Sequence, residues 1–213
     1  MRCPPGGRCA CGPGLKYELS PAGNPGQDKD ERDNVASAKA TPQPPTLLPL
    51  TVRITLKNRI VVFPMATYSA IDGLVQDFHL VHLGARVLGG AGLVMVEMTA
   101  SSPDGRITPA CTGLWTDVHG QAFGRIVDFV HASGRGVRIG LQRRHSGPKG
   151  STQLGWARPG EPLAEGNWPL LAASAVAYGP TNQTLQAMTR HDMDRVTADF
   201  VSDTRHAARV GFD

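Results

Sequence analysis

Three short apolar runs in the chain after residue 49 constrain its fold more than any other feature. They are residues 59–63 (RIVVF), residues 92–97 (GLVMVE) and residues 136–141 (GVRIGL). Their apolar residues are close to continuous and rich in β-branched side chains, which is typical of parallel strands covered on both faces. The runs therefore predict three buried parallel strands.

Segments with the 3.6-residue period of an amphipathic helix lie between and after these runs. The predicted helices are Asp77–Leu88, residues 117–133 and Arg190–Val210. Glycine follows the first helix at Gly89 and Gly90, and Thr189 with Asp192 forms a capping box at the start of the third. The predicted inward faces are Leu80, Leu83, Ala85 and Leu88, then Ala122, Ile126, Phe129 and Val130, then Met193, Val196, Phe200 and Ala207.

The alternation of strands and helices predicts an α/β fold with a parallel sheet and right-handed crossovers. A (β/α)8 barrel and an open doubly wound sheet both begin in this way. The first strand is not followed by a GxGxxG motif, which weakens the doubly wound alternative. We expect residues 49–213 to form the first three to four β/α units of a barrel, whose chemistry lies at the carboxyl ends of its strands.

The first 48 residues differ in composition from the rest. They are rich in proline and glycine and lack apolar periodicity, so they bury too little surface to offset the entropy of ordering. We predict a disordered extension without an apolar signal segment, and its acidic residues argue against a transit peptide. A scaffold role for Pro42, Pro44 and Pro45 remains an alternative.

Charge and cysteine content narrow the class of protein. The 22 basic and 18 acidic residues are scattered, which favours a solvated surface over a nucleic-acid partner. The sequence contains no run of about 18 apolar residues, so we predict no membrane span. The cysteines Cys3, Cys9, Cys11 and Cys111 contain no CxxC pair, so we predict no metal site and free thiols in a reducing, cytoplasmic location.

Each predicted strand ends in side chains that suit a ligand site. Pro64, Met65 and Ala66 follow the first strand, Met98 follows the second, and Gln142 follows the third. Each residue also has a structural interpretation, since Met fills cores and Gln caps backbone groups. The functional hypothesis rests on all three strand ends meeting at one edge.

The sequence around these ends resembles the Old Yellow Enzyme family of flavoproteins. The similar segments are residues 56–62 with 64–65, 89–93, 103–107, 113–115, 141–142 and 145–149. Residues 149–156 (KGSTQLGW) and 166–170 (GNWPL) further resemble the reductase-like half of salicylyl-CoA 5-hydroxylase and anthraniloyl-CoA monooxygenase.

The resemblance implies an FMN cofactor across the strand ends and NADPH or NADH as the reductant. In the family, the segment matching Phe63, Pro64, Met65 and Ala66 lines the flavin ring. The position of Met98 offers a backbone contact, and the position of Gln142 bonds the pyrimidine side of the ring. An amide suits that edge because it provides both a donor and an acceptor.

The resemblance further implies that the residue matching Tyr68 faces a substrate pocket. The implied activity is ene reduction, in which flavin N5 passes hydride to an electron-poor alkene or to a substrate derived from an aromatic acyl-CoA. The implied partner is therefore a small molecule, and no catalytic residue is assigned within this chain.

The chain departs from the family pattern at three places. Phe63 stands where relatives have a small residue, Ala66 lacks a side chain that tunes the flavin, and Arg143 with Arg144 replaces an apolar or small pair. We expect Phe63 to crowd the ring. The two arginines either bind an anionic ligand or have no functional role.

Residues 211–213 match the start of the family's fourth strand, and later strands supply its paired histidines and its phosphate site. A complete barrel needs about 250 residues, which is more than this chain has. We therefore expect weak FMN binding and open sheet edges in the chain alone. The alternatives are an inactive truncated remnant, or a subunit completed by a C-terminal half or another chain. Homo-oligomerisation is left open.

Overall fold

A parallel sheet with β4 (Leu93–Ala100) at its centre organises the computed structural model, which describes residues 43–133 and 135–213. The neighbouring strands are β3 (Val61–Val62), β5 (Thr112–Gly113) and β6 (Arg138–Arg144). β6 pairs with β4 along its whole length, from Leu93 with Arg138 to Ala100 with Arg144. The opposite edge of β4 is shared by β3 near its start and β5 near its end. The three predicted strands are thus confirmed as parallel neighbours.

The helices confirm the predicted alternation. α1 is Asp77–Leu88, α2 is Asp117–Ala132 and α3 is Arg190–Val210. Gly90 has a φ of 97° after α1, and Thr189 and Asp192 form the predicted capping box at the start of α3. Four short strands lie outside the alternation, as the hairpin β1 (Leu50–Thr51) with β2 (Thr55–Leu56) and the parallel pair β7 (Leu171–Ala172) with β8 (Gln186–Ala187).

The main core lies between the sheet and the inner faces of α1 and α2. Its largest fully buried members are Phe123, Leu114, Ile126, Ile139, Val87, Val94, Val96, Val127 and Val130. α3 adds Ala207 and Val210, and the ring of Phe212 lies 5.6 Å from that of Phe123. Burial of these side chains at about 25 cal/mol per Å² is the dominant stabilising contribution to this layer.

The predicted inward faces are partly wrong. Ala85 and Leu88 of α1 are exposed, and α1 instead buries His79 and Val87 beside Leu83. Phe129 is 37% exposed and covers Gly84 at the junction of α1 and α2. Met193 is 46% exposed. The error at Phe129 has a physical source, because its ring packs on Gly84 of the neighbouring helix instead of on the sheet.

Asn58 positions the start of β3 against the turn before β4. Its Nδ2 donates to the Gly90 carbonyl at 2.8 Å, and its Oδ1 accepts from the Ile60 amide at 3.1 Å. Gly92 passes so close that a Cβ there would overlap the Asn58 carbonyl oxygen. This close packing fixes the register of the first two barrel strands.

The last residues run alongside β6. The Asp213 amide donates to the Ile139 carbonyl at 3.0 Å, and the Asp213 carboxylate accepts from the Ile139 amide at 2.9 Å and from Arg138 at 2.6 Å. The residues after α3 are thus hydrogen-bonded to β6.

Two predictions fall wholly or partly on residues outside the described part. They concern residues 1–42 of the predicted extension and the cysteines Cys3, Cys9 and Cys11. Residues 45–47 at the end of that extension form a short 3-10 turn. No helix in the described ranges is both long and apolar enough to cross a membrane.

Candidate functional site

The carboxyl ends of β3, β4 and β6 lie at one edge of the sheet because the three strands are parallel neighbours. Met98 and Gln142 were predicted to follow their strands, but they lie within β4 and β6, two residues before each strand ends, because both strands extend further than their apolar runs. They are register partners near this edge. A β-bulge between Val96 and Met98 shifts the register immediately before them. Bulges of this kind re-aim side chains at strand ends and are common beside active sites.

The segment after β3 is fastened to β4 by Glu97. The amide of Thr67 donates to Glu97 Oε2 at 2.7 Å, and the Thr67 hydroxyl donates to Oε1 at 2.6 Å. Glu97 is 5% exposed, and Nε2 of His79 lies 3.5 Å from Oε1. Glu97 is therefore a structural anchor that holds Phe63 to Ala66 beside the end of β4.

The anchored segment presents open surface at the sheet edge. Phe63 is 74% exposed and Met65 is 56% exposed, while Pro64 is half-buried and Ala66 is exposed. Within the described residues, the main-chain groups of Met65 and Ala66 form no hydrogen bond. The segment thus offers apolar side chains together with unpaired backbone donors and acceptors.

Met98 and Gln142 differ in what they offer. The Met98 side chain is 4% exposed and packs with Ala100 and Cys111, and its carbonyl accepts from the Thr112 hydroxyl at 2.9 Å. The Met98 side chain is therefore core filler. The Gln142 amide is half-buried and makes no hydrogen bond to any described residue, so both its donor and its acceptor are available.

Tyr68 links this edge to a neighbouring hollow. It has a φ of 50°, a left-handed conformation that is uncommon for a non-glycine residue and costs of order 1–3 kcal/mol. Its ring packs on the Met98 cluster and lies edge-on to Trp156 at 5.8 Å. Burial raises the pKa of the Tyr68 phenol, with smaller contributions from Cys111 and Glu97. The hydroxyl therefore stays protonated and can donate a hydrogen bond.

The hollow beside Tyr68, which we name the cationic hollow, has a volume of about 280 Å³. Its lining includes Tyr68, Arg144, Lys149, Thr152, Gln153 and Tyr178. Arg144 ends β6 two residues after Gln142, Tyr178 lies between β7 and β8, and the remaining lining residues come from the loops that follow β3, β4 and β6. The hollow therefore opens at the same edge as the candidate ligand residues.

The adjacent arginines at the end of β6 separate in space. Arg144 lines the cationic hollow, whereas Arg143 turns toward α3 and donates to the Phe200 carbonyl at 3.1 Å and to the Thr204 hydroxyl. Its NH1 also lies 4.0 Å from the fully buried Asp203, whose pKa burial raises to about 7. The two arginines thus do not act as one pair at a ligand site.

His145 and Cys111 supply no further chemistry at this edge. Nδ1 of His145 accepts from the Gly147 amide at 3.2 Å, and burial lowers the pKa of the ring despite nearby Asp104. His145 is therefore a neutral loop histidine. Cys111 is a buried free thiol, and no group of three or more potential metal ligands occurs in residues 43–133 and 135–213.

Several residues of this region were missed by sequence reasoning. Nothing in the sequence signals that Thr67 bonds to Glu97, or that Lys149 and Tyr178 meet across a long loop. The burial of Asp203 could have been predicted, because it lies on the same helical stripe as Val196, Phe200 and Ala207. A carboxylate on an otherwise apolar face predicts a buried cationic neighbour.

Comparisons with known proteins match this chain to one family of flavin oxidoreductases. Residues 47–213 match the model of the NADH:flavin oxidoreductase / NADH oxidase family. An NADH:flavin oxidoreductase from Gibberella zeae is 36% identical over 188 residues, which cover 85% of this chain and 45% of the relative. An NADPH dehydrogenase from Geobacillus thermodenitrificans is 36% identical over 168 residues, which cover 78% and 45%.

A solved structure supports the fold. The Old Yellow Enzyme from Pichia sp. AKU4542 superposes with a TM-score of 0.66 at 25% identity, over 79% of this chain and 44% of that chain. The likeness confirms the predicted α/β fold of the first barrel units. The chain spans about half the length of the curated relatives it matches.

Proposed function

The chain belongs to the NADH:flavin oxidoreductase / NADH oxidase family, and on this premise we propose that it forms the first part of an FMN site in an NAD(P)H-dependent oxidoreductase. The observation that carries the proposal is the meeting of three strand ends at one edge, with Met98 beside Gln142 and Thr67 bonded to Glu97. The names of the relatives support NADPH or NADH as the electron donor.

The residues at this edge fit an isoalloxazine in their chemistry. The ring has apolar faces and an edge that carries both donors and acceptors. Phe63 and Met65 provide exposed apolar surface, Met65 and Ala66 provide unpaired main-chain groups, and Gln142 provides a free amide. An amide can donate and accept at the same ring edge.

We assign a role to each of these residues. Phe63, Pro64, Met65 and Ala66 line the ring, the Met98 backbone lies at its edge, and Gln142 bonds its pyrimidine side. Bound FMN supplies hydride transfer, and hydrogen bonds from the protein to the ring edge stabilise the charge of its reduced form. Tyr68 faces the substrate and holds its proton on the phenol oxygen, where it can donate to a ligand in the cationic hollow.

We also propose a class of substrate that accepts the hydride. We propose ene reduction of an electron-poor alkene, which follows from the resemblance to the Old Yellow Enzyme family. Residues 149–156 and 166–170 support a relationship to the reductase-like half of salicylyl-CoA 5-hydroxylase, with an aromatic acyl-CoA-derived substrate. In the structure, the first of these segments contributes Lys149, Thr152 and Gln153 to the cationic hollow.

A second candidate is a chain that becomes active only when another polypeptide supplies the remaining barrel units. Apolar side chains exposed away from the proposed flavin site, such as Met193 and Val201 of α3, favour this candidate over a self-sufficient enzyme. In both candidates the flavin residues of this chain have the same roles, so one set of variants tests them.

The test uses a hybrid protein in which residues 43–213 are followed by the C-terminal part of the Geobacillus thermodenitrificans NADPH dehydrogenase. We expect the hybrid to hold FMN and to oxidise NADPH when 2-cyclohexenone is present. A hybrid whose flavin is reduced by NADPH but not reoxidised by the enone under anaerobic conditions would contradict ene reduction. A folded hybrid without flavin would contradict the FMN site itself.

A further inference from the structure

The cationic hollow carries two positive charges and no negative one. Arg144 and Lys149 line it, and its lining contains no Asp or Glu. Within the described residues, neither cation forms a salt bridge. Glu161, which follows the lining residue Gly160 in the chain, pairs with Arg158 at 3.5 Å. The lining therefore carries two cations, and neither is paired with a described acidic residue.

Hydrogen-bond donors accompany these charges. The hydroxyl groups of Tyr68 and Tyr178 form no hydrogen bond to a described residue, although both side chains line the hollow. The Lys149 ammonium lies 5.3 Å from the centroid of the Tyr178 ring, a cation–π contact that holds its position. Two cations and two hydroxyl donors thus surround one space, which is the donor set that an oxyanion requires.

The location ties the hollow to the proposed flavin. Arg144 lies two residues beyond Gln142 on the same strand, and Tyr68 packs on the Met98 cluster. The volume of about 280 Å³ is near the lower end of the roughly 300–1,000 Å³ of small-molecule sites. It accommodates the charged group and an attached ring better than it would accommodate a whole dinucleotide.

We propose that the cationic hollow binds the oxyanion group, carboxylate or phosphate, of a small ligand at the carboxyl edge of the sheet. Arg144 and Lys149 supply the charge, and Tyr68 and Tyr178 supply neutral donors. The identification of this ligand as the substrate rests on the proposed function. Binding of the oxyanion does not, since it needs only residues of this chain.

Titration of the 213-residue chain with three probes tests the proposal by isothermal calorimetry, without FMN and with saturating FMN. The probes are benzoate, phenyl phosphate and neutral benzamide, which matches benzoate in shape. We expect at least one anionic probe to bind about tenfold more tightly than benzamide. Preference for benzoate indicates a carboxylate-bearing substrate, and preference for phenyl phosphate indicates the phosphate of a ligand such as the nicotinamide donor.

Variants separate the hollow from general charge attraction. Arg144→Gln and Lys149→Met should each weaken the anionic probe about fivefold, because both cations are exposed and partly screened. Arg205→Gln removes the same charge from the exposed face of α3 and should change nothing. Equal weakening by all three variants, or equal binding of the anions and benzamide with and without FMN, overturns the proposal.

The two proposals fail separately. If the chain or the hybrid binds FMN but shows no preference for the anions, only the proposed oxyanion site is contradicted. A hybrid that binds the anions through Arg144 and Lys149 but never takes up FMN retains the oxyanion site and contradicts the proposed FMN site.

Discussion

Thr67 donates two hydrogen bonds to the carboxylate of Glu97, one from its amide at 2.7 Å and one from its hydroxyl at 2.6 Å. The carboxylate is buried in the second half of β4, and the segment it holds is the one proposed to line the flavin. Hydrogen bonds to a charged acceptor are stronger than neutral ones. The position of the flavin segment therefore depends on one carboxylate in the neighbouring strand.

Glu97→Gln should destabilise the chain by about 1–3 kcal/mol, since an amide oxygen accepts only one of the two bonds and its NH₂ group opposes the other donor. Urea unfolding followed by circular dichroism measures this loss. Glu165→Gln changes an exposed carboxylate and should alter stability by less than about 0.5 kcal/mol. Equal stabilities of the two variants would show that the Thr67 bonds contribute nothing.

Asp203 should make stability depend on pH. Burial raises its pKa to about 7 from 3.8, so the unfolded chain ionises first as the pH rises. Its contribution to stability is fully present below pH 3.8, falls between about pH 4 and 7, and is lost above the folded pKa.

Asp203→Asn should therefore match the wild type near pH 4 and exceed its stability on the order of 2 kcal/mol at pH 8. Urea unfolding at several pH values between 4 and 8 measures the difference. Asp128→Asn, at an exposed position of α2, is the control and should follow the wild type throughout. If the difference in unfolding free energy between Asp203→Asn and the wild type were the same at every pH, the raised pKa of Asp203 would be contradicted.

Gly92→Ala should destabilise the fold by about 1–3 kcal/mol, because the added Cβ would overlap the main-chain oxygen of Asn58, which cannot rotate away. Gly124→Ala makes the same change inside α2, where no atom lies within 4 Å of the new Cβ. That control should raise stability by up to about 1 kcal/mol. Thermal unfolding of both variants checks the contrast, and a neutral Gly92→Ala would refute the close approach.

Phe63→Ala should tighten FMN binding in the hybrid by about fivefold, because we expect the large aromatic ring to crowd the flavin that it lines and overpacking costs about 1–3 kcal/mol. Flavin fluorescence titration measures the change. Phe78→Ala removes a ring that is also exposed, but on α1, and should leave the affinity unchanged. Weaker binding by Phe63→Ala would mean that the ring stacks on the flavin and supports it.

The alternating order of strands and helices was predictable because buried parallel strands and amphipathic helices have distinct periodicities. The bounds of α1 and α3 agree with the sequence patterns, since Gly90 and the Thr189 capping box mark them locally. The strands β5, β7 and β8 have two residues each, and unlike the equally short β3 they lie in no run rich in β-branched residues, so the sequence did not indicate them. The buried face of α2 was partly misassigned because Phe129 packs on Gly84 of α1, a contact between helices that the periodicity of one helix does not reveal.

The sequence predicted where the residues of the candidate site lie along the main chain, but not the contacts of their side chains. Strand ends locate Met65, Met98 and Gln142, because topology brings parallel ends to one edge. The anchoring of Thr67 by Glu97 and the meeting of Lys149 with Tyr178 depend on loop conformations, which no local signal specifies. The separation of Arg143 from Arg144 follows from strand alternation, since adjacent residues point to opposite faces.

The central claim is that the ends of the three strands hold one isoalloxazine, and Gln142 tests it most directly. FMN titration of the hybrid, followed by flavin fluorescence, compares Gln142→Leu with Gln121→Leu, a control on the exposed face of α2. The account predicts that Gln142→Leu weakens FMN binding about tenfold, the loss of about 1.4 kcal/mol of hydrogen bonding, while Gln121→Leu binds as the unmodified hybrid does. Identical FMN affinities for both variants and the unmodified hybrid would contradict it.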